Sequence, residues 1–166
     1  AKIGTFDMAE LATRAPAALT TIIEIPFIVA FAVKIPATPF HGWLPGLYRA
    51  APAPFAAILA GVMTKVGAYA LLRLSPVVFP HALTTFAPWV IGLGLGGFLY
   101  AVIAALQQKE LRGVLAYTSL SHMGLITFAV GFSFSGDPSA RVGAIFYIFL
   151  HGIVTSAFFL VAGAME

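Results

Sequence analysis

Four side chains stand out because they can gain and lose a proton and yet sit in apolar surroundings. Lys65 is near the middle of a hydrophobic run over 54–73, His122 near the middle of one over 111–132, and His151 near the middle of one over 141–163. Lys34 lies just before an interruption in an earlier run. A charged lysine at the centre of a membrane helix costs about 2.5–3.5 kcal/mol on insertion scales. Burial disfavours the charged form of lysine and histidine alike, so either type can exchange a proton at such depth. A row of them at one depth would make a lateral proton path, with hops completed by buried waters. Two other readings stay open at this point. Each histidine could serve as an interhelical hydrogen-bond donor, with Ser121 and Tyr117 as partners for His122. A lysine could be a fixed salt-bridge member. Glu24 is the only acid inside a span. It is offset from Lys34 by roughly 15 Å along a helix axis, so the two do not pair, and it is expected near the interface as a secondary candidate.

The elements that must hold these groups follow from composition. The chain has 166 residues, 60% hydrophobic and 9% charged, far from the roughly 25% charged residues of soluble domains. Apolar stretches of helix-spanning length recur along it, which predicts an all-α polytopic membrane protein. Residues 1–18 read as an interfacial loop. Residues 19–166 read as five transmembrane spans: 19–48, 54–73, 84–106, 111–132 and 141–163. The first is discontinuous. "KIPATPFHGWLP", Lys34 to Pro45, carries Pro36 and Pro39, each without an N–H and each in conflict with the preceding turn. The carbonyls near Ala32 and Ile35 are expected to lose their partners. Irregular backbone at membrane depth is tolerated only against protein or a water-filled cavity, and broken helices recur in transporters. The break therefore predicts a polar cavity beside Lys34, a half-helix resuming at about His41, His41 linking the cavity to the surface, and Trp43 as an interfacial anchor. A plain packing kink is the simpler alternative.

Several classes drop out. There is no cysteine, so disulfides, thiolate metal sites and cysteine nucleophiles are excluded. The net charge of +3 is spread over single basic residues, with no tract that suggests nucleic acid. "GLGLGG", Gly92 to Gly97, spells a dinucleotide-binding pattern. It lies inside a hydrophobic span, without the preceding strand or the following acid that such a site needs. Gly92 and Gly96 instead form a G-x-x-x-G expected to pack helices closely. Arg14, Arg73 and Arg141 fall on one side, and Arg49, Lys109 and Arg112 on the other, so charge does not decide orientation. Without an initiator Met or a signal-peptide pattern at Ala1, the chain reads as a piece of a longer protein.

"KIPATPFHGWLP", "APAPFAAILAGVMTKVGAYALLRL", "LRGVLAYTSLSHMGLI" and "FLHGIVTSAFFLVAGAME" together resemble the antiporter-like membrane subunits of respiratory complex I, the M-type subunits most closely. The resemblance covers about Phe27 to Glu166. It implies one half of an inverted-repeat antiporter-like fold, helices seven to eleven of a longer bundle, and proton translocation driven at a distance by NADH:quinone electron transfer. It puts Lys34 at the lysine of the broken helix and Lys65 at the lysine of the next. Protonation would alternate between these two, and His122 and His151 would pass the proton on. The glutamate paired with Lys34 and the acidic exit residue would lie outside Ala1–Glu166. No cofactor is implied for this chain, while NADH, FMN, iron–sulfur clusters and quinone are implied for the whole complex. The implied partners are other membrane subunits and the lipid bilayer, in a bacterial inner membrane or its mitochondrial or chloroplast equivalent. The chain departs from the usual "WLPDAH" by having Gly46 and Tyr48 in "WLPGLY", and Gly113 after Arg112 where a second basic residue is usual. "MTKVGAYALLRL" is also similar to the D subunit of Mrp-type cation/proton antiporters, the alternative reading. A membrane-bound hydrogenase subunit with inert buried polar groups is a third.

Overall fold

A computed structural model describes residues 7, 10, 17–79 and 83–166. The interfacial loop expected over 1–18 lies almost wholly outside them. Every regular element among the described residues is a helix: α1 (Ala17–Lys34), α2 (Trp43–Ala50), α3 (Ala53–Val78), α4 (Leu83–Leu106), α5 (Leu111–Phe134) and α6 (Pro138–Met165). The last four are each long and apolar enough to cross a membrane. The remaining expected span is divided between α1 and α2 by an irregular stretch over 35–42.

The helix ends have local causes. Pro52 precedes the first turn of α3 and Pro54 sits inside that turn, where a missing N–H costs little. α3 continues through Pro76 to Val78 rather than ending near Arg73, since a proline in the last turn removes only one intrahelical bond. Between α5 and α6, Gly136 adopts φ +90°, a conformation that favours glycine. Asp137 then accepts from the Ser139 amide at 2.9 Å and caps α6, with Pro138 in its first turn.

At the break, Pro36 cannot donate to the Ala32 carbonyl. The Ala37 N–H takes that carbonyl instead, at 2.8 Å. The Val33 carbonyl then accepts from the Trp43 indole at 3.1 Å. One expectation is corrected here: Ala32 keeps a partner because the turn widens by one residue, so that the N–H five residues on reaches its carbonyl. Trp43 stitches the end of α1 to the start of α2.

The packing is layered. One apolar cluster gathers Ile35, Leu71, Leu72, Val90, Met123, Ile126, Val130 and Ala144. A second gathers Leu44, Tyr48, Ala56, Leu59, Ala101, Leu120 and Phe159. Along α3, α5 and α6 alike, the chain passes from one cluster to the other through a level that carries Lys65, His122 or His151. The break over 35–42 falls between Ile35 of the first cluster and Leu44 of the second, at this same level. Close backbone approach holds the layer. A Cβ added at Gly124 would lie 2.5 Å from the Phe98 nitrogen and 2.9 Å from the Gly94 carbonyl oxygen. The glycines that pack are therefore Gly94 and Gly124. Gly92 and Gly96, expected for that role, meet nothing within 4 Å, because they face outward on α4.

Candidate functional site

Lys65 is buried at the start of a regular stretch of α3, directly after a π-helical turn over Leu59–Met63. In that turn the Thr64 N–H reaches back five residues to the Leu59 carbonyl. The Ala60 carbonyl is left to face side chains, as π-turns often allow at functional positions. The Lys65 ammonium donates to it, and to Thr64 Oγ1 at 3.1 Å. The lysine thus rests on its own helix, with no carboxylate beside it.

His151 is buried on α6, and neither of its ring nitrogens has a protein partner. His122 of α5 stacks beside it, ring centroids 5.2 Å apart. His122 Nδ1 shares a hydrogen bond with the Tyr147 hydroxyl. This corrects the expected partners: Ser121 spends its hydroxyl on the Thr118 carbonyl at 2.8 Å, and Tyr117 packs against the second apolar cluster. The two histidines border a cavity of about 270 Å³, together with Thr118, Ser119, Tyr147 and Thr155. The rest of its lining is apolar, Leu115, Leu150, Val154 and Phe158, so the space has room for water but offers it few polar contacts. Lys65 is near enough for its charge to act on both rings. Lys65 itself lines a different space, a groove of about 790 Å³ between α3 and α6.

Three helices therefore bring Lys65, His122 and His151 together. Their approach depends on small residues. Gly61 and Gly152 meet so closely that a Cβ on Gly152 would lie 2.8 Å from the Gly61 carbonyl oxygen. Ser156 donates across the same seam to the Ala57 carbonyl at 2.8 Å.

Lys34 is placed differently. Its backbone adjoins Gly67, where an added Cβ would sit 3.2 Å from Lys34 Cβ, but its side chain is exposed. None of the three cavities described has Lys34 in its lining. Lys34 continues the outward stripe of Val29, Ala30 and Val33 on α1. Pro36 is buried and Pro39 exposed, both within the break. His41 stacks on Tyr100 with centroids 4.8 Å apart, away from the histidine cavity. Glu24 is buried, with no partner for either oxygen. Phe27, one turn on, stacks on Phe79 beyond the end of α3, so Glu24 lies at the end of the bundle and far from Lys65. It is covered by protein there, which expectation of an interfacial place did not foresee.

Thr64, Ser119, Tyr147 and Thr155 were not singled out by sequence reasoning. Helical spacing carried the signal: Tyr147 and Thr155 are one turn either side of His151, and Ser119 is one turn before His122.

The family model described as the transmembrane part of NADH:quinone oxidoreductase and Mrp antiporters matches residues 2–166. The chain belongs to this family. Within it, the NADH-quinone oxidoreductase subunit M of Rickettsia bellii is 38% identical over 99% of the chain and 33% of its own length. The chloroplast NAD(P)H-quinone oxidoreductase chain 4 of Angiopteris evecta is 40% identical over 95% of the chain and 31% of its own length. Among solved structures, an Mrp complex from Dietzia sp. superposes with a TM-score of 0.87 at 28% identity, covering 98% of this chain and 30% of that one. Respiratory complex I from Thermus thermophilus superposes with a TM-score of 0.86 at 29% identity, covering 97% and 34%. The chain spans about a third of the length of the curated relatives it matches. It is an all-helical membrane segment with the antiporter-family fold.

Proposed function

We propose that this segment carries part of the proton path of a non-redox membrane subunit in an NADH:quinone oxidoreductase. The observation that carries the reading is the pairing of His122 and His151 on one cavity, with the buried Lys65 of the adjoining helix close enough for its charge to act on both. In the proposed step a proton leaves Lys65 Nζ, whose lone pair re-forms, and adds to a ring nitrogen of His151. Any water or hydroxyl between releases one proton as it takes one up. His122 extends the path, oriented by its hydrogen bond with Tyr147. Lys34 enters from the exposed face of α1, where its paired carboxylate would belong to the rest of the longer protein. NADH, FMN, iron–sulfur clusters and quinone are assigned to other subunits, since this chain has no cysteine and its Gly92–Gly97 pattern lies within a continuous helix. The partners would be other membrane subunits of that complex, in a bacterial inner membrane or its organellar equivalent.

The test is Lys65→Ala in the assembled complex. NADH-driven proton pumping is expected to vanish, while NADH oxidation by an artificial acceptor persists as a measure of assembly. Pumping at the wild-type rate refutes the reading. The equally close superposition on the Mrp complex supports a second one, cation/proton antiport. Sodium-dependent proton movement without NADH would select it.

A further inference from the structure

We propose that the Tyr48 hydroxyl is the bridge by which the hydrogen bonds around Lys65 reach the histidine cavity; this rests on the proton-path reading above. Tyr48 stands on α2, the second half of the broken helix, and is wholly buried. Its ring packs on Phe159 of α6 with centroids 4.6 Å apart. Its hydroxyl lies beside Ser119 of α5 and Thr64 of α3, without hydrogen-bond geometry to either.

These neighbours face opposite ways. Thr64 Oγ1 accepts from the Lys65 ammonium at 3.1 Å, and its own hydroxyl points to the Ala60 carbonyl at 3.4 Å. Ser119 lines the cavity that holds His122 and His151. The hydroxyls of Tyr48 and Ser119 are both buried without a protein partner. A buried unmade hydrogen bond costs about 1–3 kcal/mol, so two side by side call for a reason. A path supplies one. Each hydroxyl can accept one hydrogen bond while donating another, and a rotation of Thr64 toward Tyr48 closes the chain Lys65, Thr64, Tyr48, Ser119. When a proton leaves Nζ, each oxygen takes one up as it releases its own. No hydroxyl ends charged, and the net proton appears on the cavity side. The break gains a role by this route. α2 begins where it does so that Tyr48, in its second turn, comes level with Thr64.

The experiment compares Tyr48→Phe, Tyr48→His and Lys65→Ala in the complete complex in proteoliposomes. Tyr48→Phe keeps the ring on Phe159 and removes one oxygen. Its NADH-driven pumping is expected to fall about tenfold or more, as loss of a positioned proton-transfer group does. Tyr48→His, which restores a proton-carrying group, is expected to recover much of that loss. Full pumping by Tyr48→Phe, with none by Lys65→Ala, overturns the bridge and leaves the proton-path reading standing. Equal losses in the Phe and His variants mark a packing role and overturn it too. Wild-type pumping by Lys65→Ala defeats the broader reading and the bridge with it. Should Tyr48→Phe fail to assemble, Ser119→Ala decides, and undiminished pumping there counts against the bridge.

Discussion

Lys65 and His151 share a burial problem that they solve differently. The lysine places two of its three donors on Thr64 and on the Ala60 carbonyl, within its own helix. The histidine borders the cavity and leaves both nitrogens without a protein partner. A group held on weak neutral acceptors can give up a proton, and a group with no fixed partner can receive one, whereas a salt bridge would lock either. His122 is the intermediate case, because Tyr147 engages one nitrogen and leaves the other available. Tyr147→Phe is therefore expected to slow proton pumping several-fold without abolishing it, since His122 stays beside His151 but loses its orienting partner. Pumping rates in assembled complex check this. A loss as complete as that of Lys65→Ala would show Tyr147 to be a station rather than a support. At this scale the sequence was highly legible for types and depth. Single titratable residues in apolar runs declare themselves through their insertion cost. Their partners were not legible, because Ser121 and Tyr117 are near His122 in the chain while Tyr147 is near it only in space.

Elements bring these residues together through backbone approach. α4 and α5 touch at Gly94 and Gly124, where an added methyl would strike main-chain atoms that cannot yield. Gly124→Ala is expected to destabilise the protein by about 1–3 kcal/mol, the usual range for overpacking. Gly92→Ala is expected to be neutral or slightly stabilising, since nothing lies within 4 Å and alanine is the better helix former. Thermal unfolding of the purified protein in detergent compares them, and equal shifts would refute the assignment. The letters G-x-x-x-G pointed to the right helix and the wrong face. Spacing alone shows that Gly92 and Gly96 share a side, and only the neighbouring helix shows which side is used. The prolines were more informative. A break near Pro36 and Pro39 follows from missing donors wherever the helix lies, but its repair by Ala37 and Trp43 needed the returning chain.

Over the whole molecule, two apolar clusters close over a polar level, and a clamp joins the helix ends at one side. Arg112 at the start of α5 donates to the Ala51 carbonyl after α2. It also donates to both carboxylate oxygens of Glu166 after α6, at 2.6 and 2.5 Å. The hydrogen bonds from Arg112 hold the Glu166 carboxyl below the usual carboxylate range. A depressed folded value means that the clamp contributes stability above the unfolded pKa of about 4.3 and loses it as pH falls through the folded value. The unfolding midpoint of Glu166→Gln is thus expected below that of the wild type at neutral pH, by a small margin that shrinks with salt. The two should converge once pH falls below the folded value of Glu166. A gap that persists in acid would mean that Glu166 acts through packing.

The sequence by itself determined the solvent, the helical class, the broken helix and the identity of the titratable groups. Each of these follows from local cost: apolar length, missing N–H donors and the price of charge in lipid. Only the tertiary structure decided that His122 and His151 share a cavity beside Lys65 while Lys34 faces outward, that the Tyr48 hydroxyl lies beside Thr64 and Ser119, and which glycines touch. Those outcomes depend on helix rotation and contact between segments far apart in the chain, where one face is chosen over another by all the packing at once.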